Sequence, residues 1–137
     1  ASSLVGRNVL LNSPNAYSDG TGINGQIPIP ANTQNVVLQI KNENGGVVAV
    51  QSYGNQPSGM MDFTWDGKDA DGNTLPPGRY QIAVTGLPAG ATESEALSVL
   101  SYGNVSSVTL GQNGTGLELN IQGMGSIKLA DILAVGD

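Results

Sequence analysis

Two residue types are missing altogether from these 137 residues, and others are scarce. Without cysteine the chain can have no disulfide, no thiolate metal site and no cysteine nucleophile. Without histidine it lacks the commonest metal ligand and the side chain that most often acts as general base near neutral pH. Any catalysis would have to use carboxylates, Lys, Tyr or Ser, and no metal or cofactor is expected. Positive charge is thin: Arg7, Lys41, Lys68, Arg79 and Lys128 are the only basic residues, and the net charge is -6. They are scattered rather than gathered into a stripe, so DNA and RNA phosphates are not expected partners. There is no long apolar run and the first residue is Ala1, so the sequence reads as an excised piece with neither signal peptide nor membrane span. What is plentiful is glycine, 20 residues of it, with Asn, Gln, Ser and Thr. That composition describes a neutral polar surface on a β scaffold, as extracellular assembly proteins often have.

Period-two alternation, which sends every second side chain to the core, marks the strands. Met61-Phe63-Trp65 alternates with Asp62-Thr64-Asp66, Tyr80-Ile82-Val84 with polar neighbours, and Val36-Leu38-Ile40 with Gln39 and Lys41. Val47 to Tyr53 reads as a further, more continuously apolar strand. Shorter strands are predicted at Ala96 to Tyr102, Val105 to Leu110, Leu117 to Ile121 and Ile127 to Val135, with a hairpin connection at Gly111 to Gly116. Near the N-terminus, Leu4 to Leu11 reads as a strand and Asn12 to Gly25 as a Gly-rich connection. Apart from one short turn within Ala89 to Leu97, no window carries a helical period, so the fold class is all-β, a sandwich or barrel.

The segment before residue 30 offers at most two strands and cannot bury a core alone. Joined to the four C-terminal strands it would close a small barrel. Residues 31–88 would then be an insertion, with Pro28, Pro30 and Pro88 stiffening its two crossings.

The most specific stretch is Asp62 to Val84, DFTWDGKDADGNTLPPGRYQIAV. Its pattern is Phe63-x-Trp65-Asp66-Gly67, Asp69-x-x-Gly72, then Pro76-Pro77-Gly78-x-Tyr80. Trp65 and Tyr80 should share a core, Asp66-Gly67 and Asp69 to Asn73 should make tight turns, and the prolines should stiffen the return. This pattern resembles the Ig-like module of bacterial flagellar hook-capping proteins, also called basal-body rod modification proteins, though related hairpins occur in other bacterial surface modules. Ser2-Ser3-Leu4-Val5-Gly6-Arg7-Asn8-Val9 is similar to the start of that family's globular part. The resemblance implies a Tudor-like barrel, residues 1–30 and 89–137, interrupted by a fibronectin-III or Ig-like sandwich, residues 31–88. It further implies a non-enzymatic cap at the distal end of the growing hook. Its partners would be hook protein subunits, other copies of itself and the flagellar type III export apparatus.

Sharper chemistries compete with this reading. Asp69-x-Asp71-x-Asn73 imitates the start of a calcium loop, but an EF-hand's twelfth-position Glu would fall on Tyr80, or on Pro77 counting from Asp66. Asx turns explain the same residues. Ser126-x-Lys128 is the minimum for a Ser-Lys hydrolase, with no sign of an oxyanion hole. Asp62 and Asp66, or Glu93 and Glu95, could pair for glycoside hydrolysis, but few aromatics remain to line a cleft. Outside the insertion only Tyr17 and Tyr102 could contribute to a methyl-lysine cage. The alternative from another class is a carbohydrate-binding or adhesin Ig-like module.

Overall fold

The computed structural model describes residues 3–114 and 116–136. Ser2 of the N-terminal cue and Thr115 of the expected hairpin turn therefore lie outside the described residues. The strands are β1 (Asn8–Leu11), β2 (Asn15–Ser18), β3 (Ile23–Ile29), β4 (Thr33–Lys41), β5 (Val47–Gln56), β6 (Gly59–Trp65), β7 (Gly78–Pro88), β8 (Glu95–Leu97), β9 (Leu100–Leu110), β10 (Leu117–Ile121), β11 (Gly125–Lys128) and β12 (Ile132–Val135). Short 3-10 turns at Gln112–Gly114 and Leu129–Asp131 are the only helical pieces among the described residues. The chain is all-β, as its alternation requires.

One sheet runs β11-β10-β9-β1-β12 and curls into a half-barrel. Its core is Val9 and Leu11 from β1, Val105 from β9, and Leu119 and Ile121 from β10. On β1 and β10 the two positions are two apart and so share one face of the strand. The other sheet runs β2-β7-β4-β5, with β8 beside β7. It packs over β3 and β6, which are paired with each other from Ile23↔Trp65 to Ile29↔Gly59. Between them lies a second, larger core. Ile23, Ile27 and Ile29 of β3 meet Leu38 and Ile40 of β4, Phe63 and Trp65 of β6, and Tyr80 and Ile82 of β7 there.

β9 borders both parts. Its start pairs with β3 at Gly25↔Ser101 and Gln26↔Leu100, its middle with β1, and its end with β10. The chain thus leaves the half-barrel after β1 and re-enters it in β9. Residues 15–29 were expected in the barrel. Instead β2 hydrogen-bonds to β7 and β3 to β6, and Ala16, Ile23, Ile27 and Ile29 lie in the sandwich core. Glycine and proline in this stretch suggested a connection. Gly25 is a strand residue because a Cβ there would run into the Leu100 carbonyl and the Phe63 ring. Pro28 lies where β9 has left β3 with one free edge, a position that tolerates a missing N–H.

Other boundaries shift for similar reasons. The first strand begins at Asn8, because Leu4–Arg7 makes a turn in which Arg7 N donates to Leu4 O at 3.0 Å and Gly6 has φ +87°. The expected break at Gly103-Asn104 is continuous strand; a Cβ on Gly103 would clash with Ile121 Cγ2, so the glycine serves packing. Ile127 to Val135 is interrupted by the Leu129–Asp131 turn, which carries the chain from one edge of the half-barrel to the other.

Candidate functional site

The Trp65 hairpin is built from its core outward. Phe63 and Trp65 project from β6 and Tyr80 from β7, all buried. The Trp65 and Tyr80 rings meet edge to face with centroids 5.0 Å apart, the geometry their quadrupoles favour. Each ring's polar tip is satisfied by backbone: Trp65 Nε1 donates to Lys68 O at 2.9 Å, and the Tyr80 hydroxyl donates to Pro76 O at 2.6 Å. Burial, and then the Glu43 carboxylate, raises the Tyr80 phenol above its ordinary pKa.

The loop between β6 and β7 is held by two Asx turns. Asp66 Oδ1 accepts the Lys68 N–H at 3.0 Å, and Asp69 Oδ1 accepts the N–H groups of Asp71 and Asn73, both at 2.9 Å. Gly67 and Gly72, both at φ +82°, make the reversals. Gly67 also permits a close approach, since a Cβ there would stand 3.0 Å from Gly20 O and Gly22 N. Pro77 lies against Gly20 from the other side, and Gly78 opens β7 opposite Ser18. None of the motif's rings is exposed as a platform for a sugar.

Sequence reasoning missed the support beneath this hairpin. Ser18, 1% exposed, accepts N–H bonds from Gly20 at 3.2 Å and Gly22 at 3.1 Å, folding the β2–β3 loop under Trp65. A Cβ on Gly22 would collide with the Trp65 carbonyl. The signal was present as Ser18-Asp19-Gly20-Thr21-Gly22, a run of turn formers, but nothing in it names its tryptophan partner. Asp19 next to it accepts hydrogen bonds from the Thr21 hydroxyl and N–H, which lower its carboxyl pKa.

Among the competing constellations, Ser126, Asp62 and Asp66 are engaged in other hydrogen bonds. Ser126 Oγ donates to Glu118 Oε2 at 2.8 Å, and Lys128 lies directly opposite Glu118 on the neighbouring strand. Both line a cavity of about 620 Å³ between β11 and β12 with Leu11, Ile127, Asp131 and Leu133. Asp62 Oδ1 accepts from Gln26 Nε2 at 3.0 Å, while Asp66 is committed to its turn. Glu93 lies in a loop and Glu95 on β8. Tyr17 and Tyr102, far apart in sequence, do share a groove of about 300 Å³ with Asp19, Asn104 and Gln122.

An Ig-like sandwich bearing this hairpin, set into a curled half-barrel, can be compared with known proteins. The model of the FlgD Ig-like domain matches residues 13–90, the stretch from the start of β2 to the end of β7. The chain belongs to the FlgD family. The basal-body rod modification protein FlgD of Escherichia coli is 31% identical over 90% of this chain and 56% of its own length. That of Salmonella typhimurium is 40% identical over 64% of this chain and 37% of its own length. The chain thus spans between about a third and just over half of these FlgD relatives. Solved structures match it throughout. FlgD from Pseudomonas aeruginosa has a TM-score of 0.83 at 35% identity, covering 99% of this chain and 100% of that one. FlgD from Xanthomonas campestris, whose structure is described as giving insights into the hook capping essential for flagellar assembly, has a TM-score of 0.84 at 34% identity, covering 97% and 94%.

Proposed function

We propose that this chain is the globular part of a flagellar hook-capping scaffold, acting at the distal end of the growing hook. It promotes addition of hook protein subunits through protein contact, without bond chemistry. Its partners are hook protein subunits and other copies of itself, and it reaches the hook tip through the flagellar type III export apparatus. The observation that carries this reading is the correspondence, along nearly the whole chain, to the P. aeruginosa and X. campestris FlgD structures. The covered tryptophan hairpin agrees with it, since a sugar-binding module needs exposed rings and Phe63, Trp65 and Tyr80 are buried. The full-length protein carrying this chain should restore hooks and swimming to a strain lacking its own cap protein. Failure to restore hooks despite normal expression, together with binding of the chain to a glycan array, would overturn the proposal in favour of a carbohydrate-binding module.

A further inference from the structure

The sandwich and the half-barrel meet through the chain, along the short β3–β9 ladder, and across space at one turn. Through the chain, the crossing after β1 is tied to the start of β9, where the hydroxyl of Ser101, 1% exposed, donates to Ser13 O at 3.0 Å. The β3–β9 ladder adds only the pairs Gly25↔Ser101 and Gln26↔Leu100, a joint of the small kind that still permits swinging between domains.

Across space, the contact is the turn Gln122–Met124 between β10 and β11. It is fixed on the half-barrel: Gln122 N donates to Asn104 O at 2.8 Å and Met124 N to Ile121 O at 2.9 Å. Its outer face seats on the sandwich. Gly123 has φ +72°, and a Cβ there would fall on Cδ1 and Cγ of the Tyr17 ring on β2. These atoms are at the root of the ring, so the side chain cannot swing its tip away to make room. The Gly123 carbonyl accepts the Nε–H of Arg79 on β7 at 2.6 Å. Tyr17 and Arg79 are directly opposite each other in the β2–β7 ladder, so ring and guanidinium form one socket. Met124 closes its far side, lining a cavity of about 450 Å³ with Asn15, Glu43, Arg79 and Tyr80.

We infer that Gln122–Met124 is a latch: with Gly123 seated between Tyr17 and Arg79, it sets the angle of the sandwich on the half-barrel. The turn alone does not explain the requirement at 123. Gly125, two residues on, has φ +87° and nothing within 4 Å of a Cβ, so it carries the same backbone demand without the contact.

That difference supplies the test. The chain has no cysteine, so nitroxides on Ser52→Cys in β5 and Thr109→Cys in β9, both exposed, can be read without background by pulsed electron resonance. The parent chain should give one narrow distance distribution. Gly123→Ala should broaden or split it, while Gly125→Ala, with a similar loss of thermal stability, should leave it narrow. Tyr17→Ala, which leaves every backbone bond of the turn intact, should broaden it as well, and adding Gly123→Ala should broaden it no further. An unchanged distribution in Gly123→Ala, or equal broadening in Gly125→Ala, would overturn the inference. If Gly123→Ala does not fold, Tyr17→Ala decides alone, a narrow parent-like distance being the contrary result.

Discussion

At 1% exposure Trp65 is the largest fully buried side chain of the sandwich, and its indole N–H is spent on the Lys68 carbonyl. Trp65→Ala removes ring packing, the Tyr80 contact and that bond together, and should cost about 3–5 kcal/mol, as large-to-small core changes do. Urea unfolding measures it; a midpoint like the parent's would contradict the assignment. Tyr80 adds a pH dependence. Its phenol is raised above the ordinary value of about 10, so the folded state holds the proton more tightly than the unfolded chain does. The stabilisation is full below pH ~10 and is lost as pH rises through the folded-state pKa. Denaturant midpoints should therefore fall on the alkaline side, and Tyr80→Phe should flatten that fall while losing about 1 kcal/mol at neutral pH with its bond to Pro76.

Strands with bulky alternating residues were legible in the sequence, because burial of Met61-Phe63-Trp65, Val36-Leu38-Ile40 and Tyr80-Ile82-Val84 on one face is the same fact as their alternation. What was not legible was the run of a strand through a glycine chosen for its neighbour. β3 places Gly25 between Ile23 and Ile27 for the sake of Phe63, and β9 keeps Gly103 for Ile121, partners remote in the chain. β2 is too short for its pattern to be read, and it is held by β7 rather than by its own sequence. In the hairpin the motif residues were readable, whereas the Ser18 loop beneath was not, since turn formers reveal a bend and not what it packs against. The Asp69 to Asn73 loop makes a prediction at this scale. Its Asp69 Oδ1 is engaged by two backbone N–H groups, so melts with calcium and with chelator should coincide. A rise of several degrees with calcium, abolished by Asp71→Ala, would show instead that the loop is a cation site.

Two cores and two crossings suggest a nested molecule, with the sandwich set into the half-barrel between β1 and β9. Replacing residues 12–99 with a short Gly-Ser linker should leave a folded half-barrel, since loop-closure cost grows slowly with length. Residues 100–137 alone should not fold, because β1 lies between β9 and β12 and its loss splits the sheet. Cooperative melting of that C-terminal piece, with dispersed amide spectra, would make the units consecutive instead. The position of β1 has a consequence in time as well. β1 precedes the other described strands along the chain, yet its ladder partners Ser101–Asn104 and Ile132–Val135 are the better part of the chain away. Pairings of such sequence separation are slow, because the chain must close the long loop before the contact rewards it. The sandwich's own ladders span far fewer residues, as in β3 with β6 or β4 with β5. On dilution from denaturant, Trp65 fluorescence should therefore recover in an early phase while amide protection of Val9 and Leu11 lags behind it. A chain emerging from a narrow conduit would meet the same order, completing its half-barrel only when the last strand is out.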